Sequence, residues 1–421
     1  MFSFIHAADI HLDSPLYKLD HYEGAPVEEL RQATRRAFEN LVDLAIAKGV
    51  DFVLIAGDLY DGDWKDYNTG LFLVSQMSRL RKADIPVFII AGNHDAASKI
   101  TKKLRLPEGV ELLPARKAKT LRLEKIDVAI HGQSFASPAV RENLSVEYPS
   151  PLPGCFNIGM LHTCVTGREG HEPYAPCKIE ELSSKGYDYW ALGHAHQQEI
   201  LHDNPPIVFP GNIQGRNIRE TGPKGCMLVS VNDAGQVSME FQPLDVIRWG
   251  KIEVDASGTE NGYDAIDLIA TQLEESLGDN EGMPLVARIE IFGISKAHNE
   301  LTSDFEHWAN EIRSMAIDIS GGRIWVEKIK VRTTPPMDEE VMESDGGPVA
   351  ELILCINEFA SEPELLKTLG ISLADLATKL PRELREGPEG ITLDNHEWLA
   401  EILEQVRPML LSRLLKKEGS V

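Results

Sequence analysis

Five apolar runs in the first half of this chain each end in side chains that can bind a metal ion. The runs have the length and apolar content of strands covered on both faces. The side chains that follow them belong to Asp9, His11, Asp58, Asn93, His162, His194 and His196. Because the carboxyl ends of parallel strands meet at one edge of a sheet, we expect these residues to lie together there. The pattern predicts an α/β fold with a metal site at that edge.

Each motif also has a structural alternative when it stands by itself. An aspartate after a strand, such as Asp9, is more often a turn residue, and a single histidine, such as His162, is more often a core residue. Asp9 and His11 are spaced i and i+2, so in extended backbone both would project to one face. Taken together, the motifs favour two ions in mixed nitrogen and oxygen shells. Such ions activate water for attack on a phosphate ester.

The order of the motifs is Asp-x-His, Gly-Asp, Gly-Asn-His-Asp, a mid-chain His and Gly-His-x-His. This order resembles the calcineurin-like metallophosphoesterase superfamily. Within that superfamily, segments 9–15 and 57–61 are similar to those of SbcD-type DNA nucleases, and in particular to the bacterial YhaO branch. The resemblance implies an α/β fold: a two-sheet metallophosphoesterase sandwich with helices on the outside, followed by a small α+β capping domain and C-terminal helices.

The resemblance also implies a role for each motif residue. One ion would be held by Asp9, His11, Asp58 and His196. The other would be held by Asp58, Asn93, His162 and His194. Asp58 would bridge the two. His94 would donate a proton or a hydrogen bond to the substrate, and Asp95 would orient the His94 imidazole. The cofactors would be two divalent ions, with Mn²⁺ expected because mixed shells suit it better than Mg²⁺.

Two positions depart from the nuclease pattern. Ala96 follows the Gly-Asn-His-Asp motif, where many of these nucleases have proline. Asp61 stands where some of them have histidine. Both a contact with substrate and a place in a turn or beside the metal ligands are therefore open for Asp61.

The formal net charge of −24 argues, by itself, against a nucleic-acid binder. The charge is unevenly distributed, since residues 1–250 carry 26 Lys and Arg against 32 Asp and Glu, whereas residues 251–421 carry 16 against 34. Residues 79–125 hold twelve basic side chains against five acidic ones. The residues expected to contact DNA phosphates are Lys99, Lys102, Lys103 and Arg216. An ordinary solvated surface is the alternative.

Composition and periodicity divide the rest of the chain. Residues 1–247 would form the phosphoesterase domain, and residues 248–333 would form an α+β unit that matches the capping domain of SbcD-type nucleases in length and order. Residues 334–348 have the proline, glycine and acidic content of a linker. Residues 349–421 contain two predicted helices, at 349–359 and 395–417.

The second of these helices carries an apolar stripe of Leu399, Leu403, Val406, Leu410 and Leu414. By the resemblance, the stripe would bind an SMC-like ATPase of the SbcC/Rad50 type; packing back onto its own protein is the alternative. The chain also allows a homodimer. No apolar run approaches the length of a membrane span, and the five cysteines lack a paired ligand spacing. We therefore expect a cytoplasmic protein that makes no membrane contact.

Three functions fit these features. The first is a metal-dependent phosphodiesterase that hydrolyses DNA, as an exonuclease or endonuclease in DNA repair, beside the ATPase. The additional unit and the C-terminal helices favour it. The second is a small-molecule phosphodiesterase or phosphatase, which often ends soon after the Gly-His-x-His motif. The third is a non-catalytic adaptor that binds DNA ends, which the complete ligand set disfavours.

Overall fold

The computed structural model describes residues 1–14, 27–61, 68–97, 106–165 and 174–336, with isolated positions between 355 and 406. The chain divides into two compact units. The first comprises Met1–Ile252, Leu273–Arg288 and Ala316–Lys328. The second comprises Glu253–Gln272, Ile289–Met315 and Ile329–Val421.

The first unit contains two six-stranded sheets. The strands of the first sheet, in spatial order, are β12 (Val237–Pro243), β11 (Gly225–Val231), β1 (Phe2–Ala7), β2 (Phe52–Ala56), β3 (Val87–Ile90) and β4 (Val110–Leu112). The four strands β1 to β4 run parallel, and β11 runs antiparallel to both β1 and β12. The parallel order brings the ends of β1, β2 and β3 to one edge of this sheet.

The strands of the second sheet, in spatial order, are β5 (Lys119–Leu123), β6 (Val128–Gly132), β7 (Phe156–His162), β8 (Tyr189–Gly193), β10 (Pro206–Phe209) and β9 (Glu199–Asp203). The strands β6, β7, β8 and β10 run parallel, and the two outer strands are antiparallel to their neighbours. The ends of β7 and β8 therefore lie at one edge of the second sheet.

The two sheets pack face to face through a buried apolar layer. Within it the ring of Phe4 stacks on Phe52, with 4.9 Å between centroids, and meets Tyr189 of the other sheet edge-on at 5.3 Å. Buried aromatic pairs of this kind contribute about 0.5–1.5 kcal/mol each beyond their burial. The layer fixes the distance between the sheets, and so the distance between the strand ends that carry the candidate ligands.

Helices cover the outer faces of the sandwich. The apolar sides of α1 (Val27–Lys48) and α2 (Asn68–Lys82) pack on the first sheet. A 3-10 helix (Leu144–Glu147) and α4 (Ile179–Ser183) pack on the second sheet. A short helix, α3 (Asn93–Ala97), begins directly after β3. The predicted sandwich of two sheets with helices on the outside is confirmed.

A three-stranded sheet follows in the chain, with the strands β13 (Arg248–Asp255), β14 (Leu285–Ile294) and β15 (Ile324–Thr334) in that spatial order. The helices between its strands are α5 (Gly262–Asp279), α6 (His298–Ser303) and α7 (Phe305–Ser320). This sheet confirms the α+β character expected for residues 248–333. Each of its strands contributes residues to both compact units, and the division into domains stays a prediction.

Most of residues 337–421, including most of the two predicted C-terminal helices, lie outside the described residues. The described positions within 355–359 and 398–406 are helical. Leu399, the first residue of the predicted apolar stripe, is only 2% exposed, so at this position the stripe packs against the chain itself. Among the described helices, none combines the length and the apolar content needed to cross a bilayer.

Candidate metal centre

Glycines at the strand ends let the two sheets approach each other at backbone distance. A Cβ atom on Gly193, the last residue of β8, would lie 1.9 Å from the carbonyl oxygen of Ala56. Gly57, which follows β2, has a φ of +96°, and a Cβ atom there would lie 2.3 Å from Nδ1 of His162. A residue with a side chain would therefore force the strand ends apart at either position.

The candidate ligands lie in the loops just beyond the strands. The φ angles of Asp9, His11 and Asp58 are 50°, 46° and 51°, and that of His194 is 111°. The expectation that Asp9 and His11 share one face of an extended strand is therefore wrong, because β1 ends before them and their backbone is left-handed. Their N–H groups donate to the carbonyl oxygens of Gly57 and Asp58 at 3.0 Å, which fixes this loop against the end of β2.

One group of ligand atoms joins the ends of β1 and β8. Atoms of Asp9, His11 and His196 lie within 4.8 Å of one another. Nε2 of His196 lies 3.2 Å from Nε2 of His11 and 3.9 Å from Oδ1 of Asp9. Nδ1 of His196 lies 2.8 Å from Oε1 of Glu220. A proton on Nδ1, donated to this carboxylate, leaves the lone pair of Nε2 for a metal ion.

A second group joins the ends of β2, β3 and β7. Nε2 of His162 lies 3.0 Å from Oδ1 of Asn93 and 3.4 Å from Oδ2 of Asp58. Nδ1 of His162 lies 2.9 Å from the carbonyl oxygen of Ala56, which accepts its proton and leaves Nε2 as a ligand atom. The ring of His194 lies beside this group, with its centroid 5.3 Å from that of His162.

When the imidazoles of His162 and His196 are neutral and their protons lie on Nδ1, these contacts bring together atoms that accept hydrogen bonds, and such atoms repel one another at about 3 Å unless positive charge lies between them. Oδ1 of Asp9 is buried and makes no hydrogen bond to any described residue. Burial raises the pKa of Asp9 to about 6. Burial lowers the pKa of His162, but the negative charge of Asp58 outweighs burial and raises this pKa to about 9. The nitrogen and oxygen donors therefore fit divalent cations.

His94 lies at the start of α3, beside both groups. One of its ring nitrogens lies within 4.8 Å of ligand atoms of His11 and Asp58. Its Nδ1 lies 2.7 Å from Oδ1 of Asp61, which is positioned to accept a hydrogen bond from Nδ1–H. Burial opposes a charge on this imidazole, but the hydrogen bond to Asp61 prevails and raises the pKa of His94. Asp61 thus lies beside the ligands and contacts a proposed catalytic residue.

Asp95 does not orient His94, contrary to the expectation from the sequence. Its two carboxylate oxygens accept, at 2.9–3.2 Å, the backbone N–H groups of Leu59, Tyr60 and Gly92. The Asp95 carboxylate therefore holds together the loops that follow β2 and β3. The carboxylate that contacts the His94 imidazole is that of Asp61.

Two residues in the loop between β10 and β11 complete the site. Arg216, predicted as a substrate contact, lies between two carboxylates. Its Nη1 lies 3.5 Å from Oδ2 of Asp61, and its Nη2 lies 3.3 Å from Oε1 of Glu220. Burial opposes ionisation of Glu220, but the hydrogen bond from His196 and the charge of Arg216 hold its pKa well below its usual range.

The sequence reasoning missed Glu220. The available signal was weak: an acidic residue in a loop of glycine, asparagine and arginine that follows the last parallel strand of the second sheet. Its carboxylate also accepts the Nδ2–H of Asn212 and the backbone N–H of Arg216, each at 2.8 Å. These contacts hold the carboxylate that orients His196.

The basic stretch of residues 79–125 is divided by the fold. Arg79, Arg81 and Lys82 form the last turn of α2. Because α2 returns the chain from the end of β2 to the beginning of β3, this turn lies at the sheet edge opposite the candidate ligands. Arg79 also pairs with Asp43 of α1. The candidate DNA contacts Lys99, Lys102 and Lys103 lie outside the described residues.

Comparison with known proteins agrees with this geometry. A family model described as calcineurin-like phosphoesterase matches residues 2–198, and a model for the middle domain of metallophosphoesterase YhaO matches residues 249–334. The uncharacterized metallophosphoesterase YhaO of Bacillus subtilis is 36% identical over 296 residues, which are 69% of this chain and 72% of that protein. This chain belongs to the calcineurin-like metallophosphoesterases. The family consists of hydrolases that depend on divalent metal ions.

More distant relatives include the DNA double-strand break repair protein Mre11 of Sulfurisphaera tokodaii, which is 27% identical over 200 residues, or 47% of this chain and 49% of that protein. The match thus spans about half the length of this Mre11 protein. Among solved structures, a dimetal phosphatase from Danio rerio is matched with a TM-score of 0.38 and 11% identity, over 58% of this chain and 96% of that one.

A test of the centre follows from the contact between Glu220 and His196. Glu220→Gln removes the negative charge that holds the Nδ1 proton of His196, so we expect the affinity for Mn²⁺ to fall by about 10- to 100-fold while the fold is kept. Isothermal titration calorimetry measures the affinity, and thermal melting checks the fold. The matched control is Glu240→Gln, at an exposed position of β12. Equal Mn²⁺ affinity in the two variants would contradict the role of Glu220.

Proposed function

We propose that this protein is a two-metal phosphodiesterase that hydrolyses DNA, in the cytoplasm, as part of DNA repair. The observation that carries the proposal is the meeting of two groups of acceptor atoms, around His196 and around His162, with the His94–Asp61 pair beside both. DNA as the substrate is supported by the Mre11 relative, whose name refers to double-strand break repair. Because the net charge of −24 repels DNA, the groups that bind DNA phosphates would have to lie close to the candidate metal ligands.

In this proposal Asp9, His11, Asp58 and His196 hold one ion, and Asp58, Asn93, His162 and His194 hold the other. Two bound divalent ions supply a water of lowered pKa and positive charge for the phosphate oxygens. The mixture of imidazole, amide and carboxylate donors favours Mn²⁺ over Mg²⁺. Asp58 would serve both ions, since its carboxylate lies 3.4 Å from Nε2 of His162 and 3.9 Å from Nε2 of His11.

His94 serves as the proton donor. Because the Asp61 carboxylate accepts a hydrogen bond from Nδ1–H, it sets the orientation of the ring, and Nε2 is the nitrogen that faces the substrate. The imidazole is 42% exposed, so a bound phosphodiester can reach it. The raised pKa of His94 favours the protonated form that a leaving oxygen requires.

Two substitutions separate metal binding from proton donation. Asp58→Asn should lose metal and activity together, because it removes the bridging charge. His94→Gln should keep both ions and lower kcat by about 10²- to 10⁴-fold, since a general acid contributes about that factor. Metal content by mass spectrometry and turnover of bis-p-nitrophenyl phosphate give the two readouts. A His94→Gln protein that loses its metal, or that keeps full activity, refutes the assignment.

The substrate class is tested with the basic residues that the sequence places after the His94 loop. Replacing Lys99, Lys102 and Lys103 with alanine should weaken DNA binding and lower its salt slope by about one for each phosphate that a lysine no longer neutralises. Cleavage of bis-p-nitrophenyl phosphate should stay unchanged. The matched control replaces three exposed lysines outside the basic stretch, Lys48, Lys178 and Lys296. Equal losses on DNA and on the small diester would favour a small-molecule phosphodiesterase.

A partner is also part of the proposal: an SMC-like ATPase of the SbcC/Rad50 type, bound through the C-terminal helices. Its support is the family resemblance; Leu399, which is buried within the chain, would not be part of that interface. Leu410→Asp should abolish co-purification with the ATPase while leaving phosphodiesterase activity intact, because a carboxylate in an apolar interface is costly. Retained co-purification, or aggregation of the variant, would give this helix a structural role instead.

A further inference from the structure

An unbroken chain of charged contacts connects His94 to His196. It runs from Nδ1 of His94 to Asp61 (2.7 Å), from Asp61 to Nη1 of Arg216 (3.5 Å), from Nη2 of Arg216 to Glu220 (3.3 Å) and from Glu220 to Nδ1 of His196 (2.8 Å). The side chains of Arg216 and Asp61 are each 15% exposed, and that of Glu220 is 8% exposed. The contacts are therefore largely shielded from solvent.

Arginine suits the middle of this chain because its planar guanidinium can hold two carboxylates on different nitrogens at once. Neighbouring groups hold the arrangement together. The hydroxyl of Ser14 donates to Oδ2 of Asp61 at 2.5 Å and accepts from Nη1 of Arg216 at 3.3 Å. The backbone N–H of Arg216 donates to Oε2 of Glu220 at 2.8 Å. Each carboxylate is thus fixed by contacts besides the one to its histidine.

The same contacts argue against the prediction that Arg216 binds the substrate phosphate. Both terminal nitrogens of Arg216 already face carboxylates, which balance its charge. A phosphate would have to displace Asp61 or Glu220, and either displacement would release a histidine of the site.

We propose that Arg216 is a positioning residue that couples His94 to His196: by holding Asp61 and Glu220 together, it sets the orientation of the proton donor and of one metal ligand at the same time. This proposal rests on the ligand and donor roles proposed above. It implies that loosening Asp61 also loosens His196, although their side chains belong to loops on different sheets.

A double-mutant cycle on metal binding tests the coupling. Mn²⁺ affinity is measured by isothermal titration calorimetry for the natural chain, Asp61→Asn, Glu220→Gln and the double variant, and then for the same four with Arg216→Met added. With Arg216 present, the double variant should differ from the product of the single effects by about threefold or more. With Arg216→Met, the effects should multiply. Coupling that persists without Arg216, or that is absent with it, overturns the proposal.

Two further variants sharpen this result. Arg216→Lys keeps the positive charge but lacks the planar guanidinium that can contact two carboxylates, so the coupling should be lost. Full coupling with lysine would show that charge alone suffices, and would overturn the role proposed for the guanidinium. Arg219→Met, at an exposed position in the same loop, is the matched control and should leave the cycle unchanged. If a double variant does not fold, the double-mutant cycle is replaced by NMR measurement of the imidazole ¹⁵N signals in the Zn²⁺-loaded protein. Arg216→Met should then shift the His94 and His196 signals together, and a shift of neither or of one would refute coupling.

The readouts keep this proposal separate from the proposed function. A protein that shows the metal-binding cycle but leaves DNA intact contradicts the nuclease proposal and supports the role of Arg216. An Arg216→Met protein with unchanged Mn²⁺ binding and a raised KM for both DNA and bis-p-nitrophenyl phosphate shows a substrate contact, and overturns the positioning role.

Discussion

The close approach of the ends of β2 and β8 is the constraint on which the candidate metal centre depends. Gly193 lies so near Ala56 that a Cβ atom would come within 1.9 Å of its carbonyl oxygen. That carbonyl oxygen accepts the Nδ1 proton of His162, and Nε2 of the same ring is thereby directed to Asp58 and Asn93. A wider gap between the sheets would separate the imidazole from both. The apolar layer around Phe4 and Phe52 determines the packing of the sheets, and the glycines allow it at the strand ends.

Charge balance is the second physical feature of the site. Five carboxylates, those of Asp9, Asp58, Asp61, Asp95 and Glu220, are brought together in the described part of the chain, and the nearby basic side chains are Arg216 and Lys224. Burial makes this excess of negative charge costly, as the raised pKa of Asp9 shows. Divalent ions would offset it where Asp9 and Asp58 lie. Asp61 and Glu220 instead act through histidines and share Arg216, which supplies positive charge outside the ligand groups.

The apolar runs and the motifs that end them predicted an α/β sheet with the candidate ligands together at one edge, and the resemblance of the motif order to a known family predicted the two-sheet sandwich. Apolar runs that stop at Gly57 or Gly193 indicate strand ends, and parallel strands end at one edge. The local geometry was predicted less well. Asp9 and His11 were expected on extended backbone but have left-handed φ values, because the loop must turn sharply to meet Gly57 and Asp58. Residues 79–82 belong to the basic stretch of residues 79–125, but the direction of α2 takes them to the sheet edge opposite the candidate ligands.

The sequence by itself was enough to predict buried parallel strands, an α/β fold and a set of candidate metal-binding side chains at the strand ends, because these follow from apolar runs and the residue types that end them. The family and the two-sheet sandwich were predicted from the resemblance of the motifs to known proteins. Only the tertiary structure decided which carboxylate serves which histidine. Asp95 is adjacent to His94 in sequence, yet its oxygens are taken by backbone amides, and Asp61 holds the imidazole. Glu220 reaches His196 across 24 residues, and His11 meets His196 across 185. Contacts over such separations depend on how loops from two sheets pack, and no local pattern of residues specifies that packing.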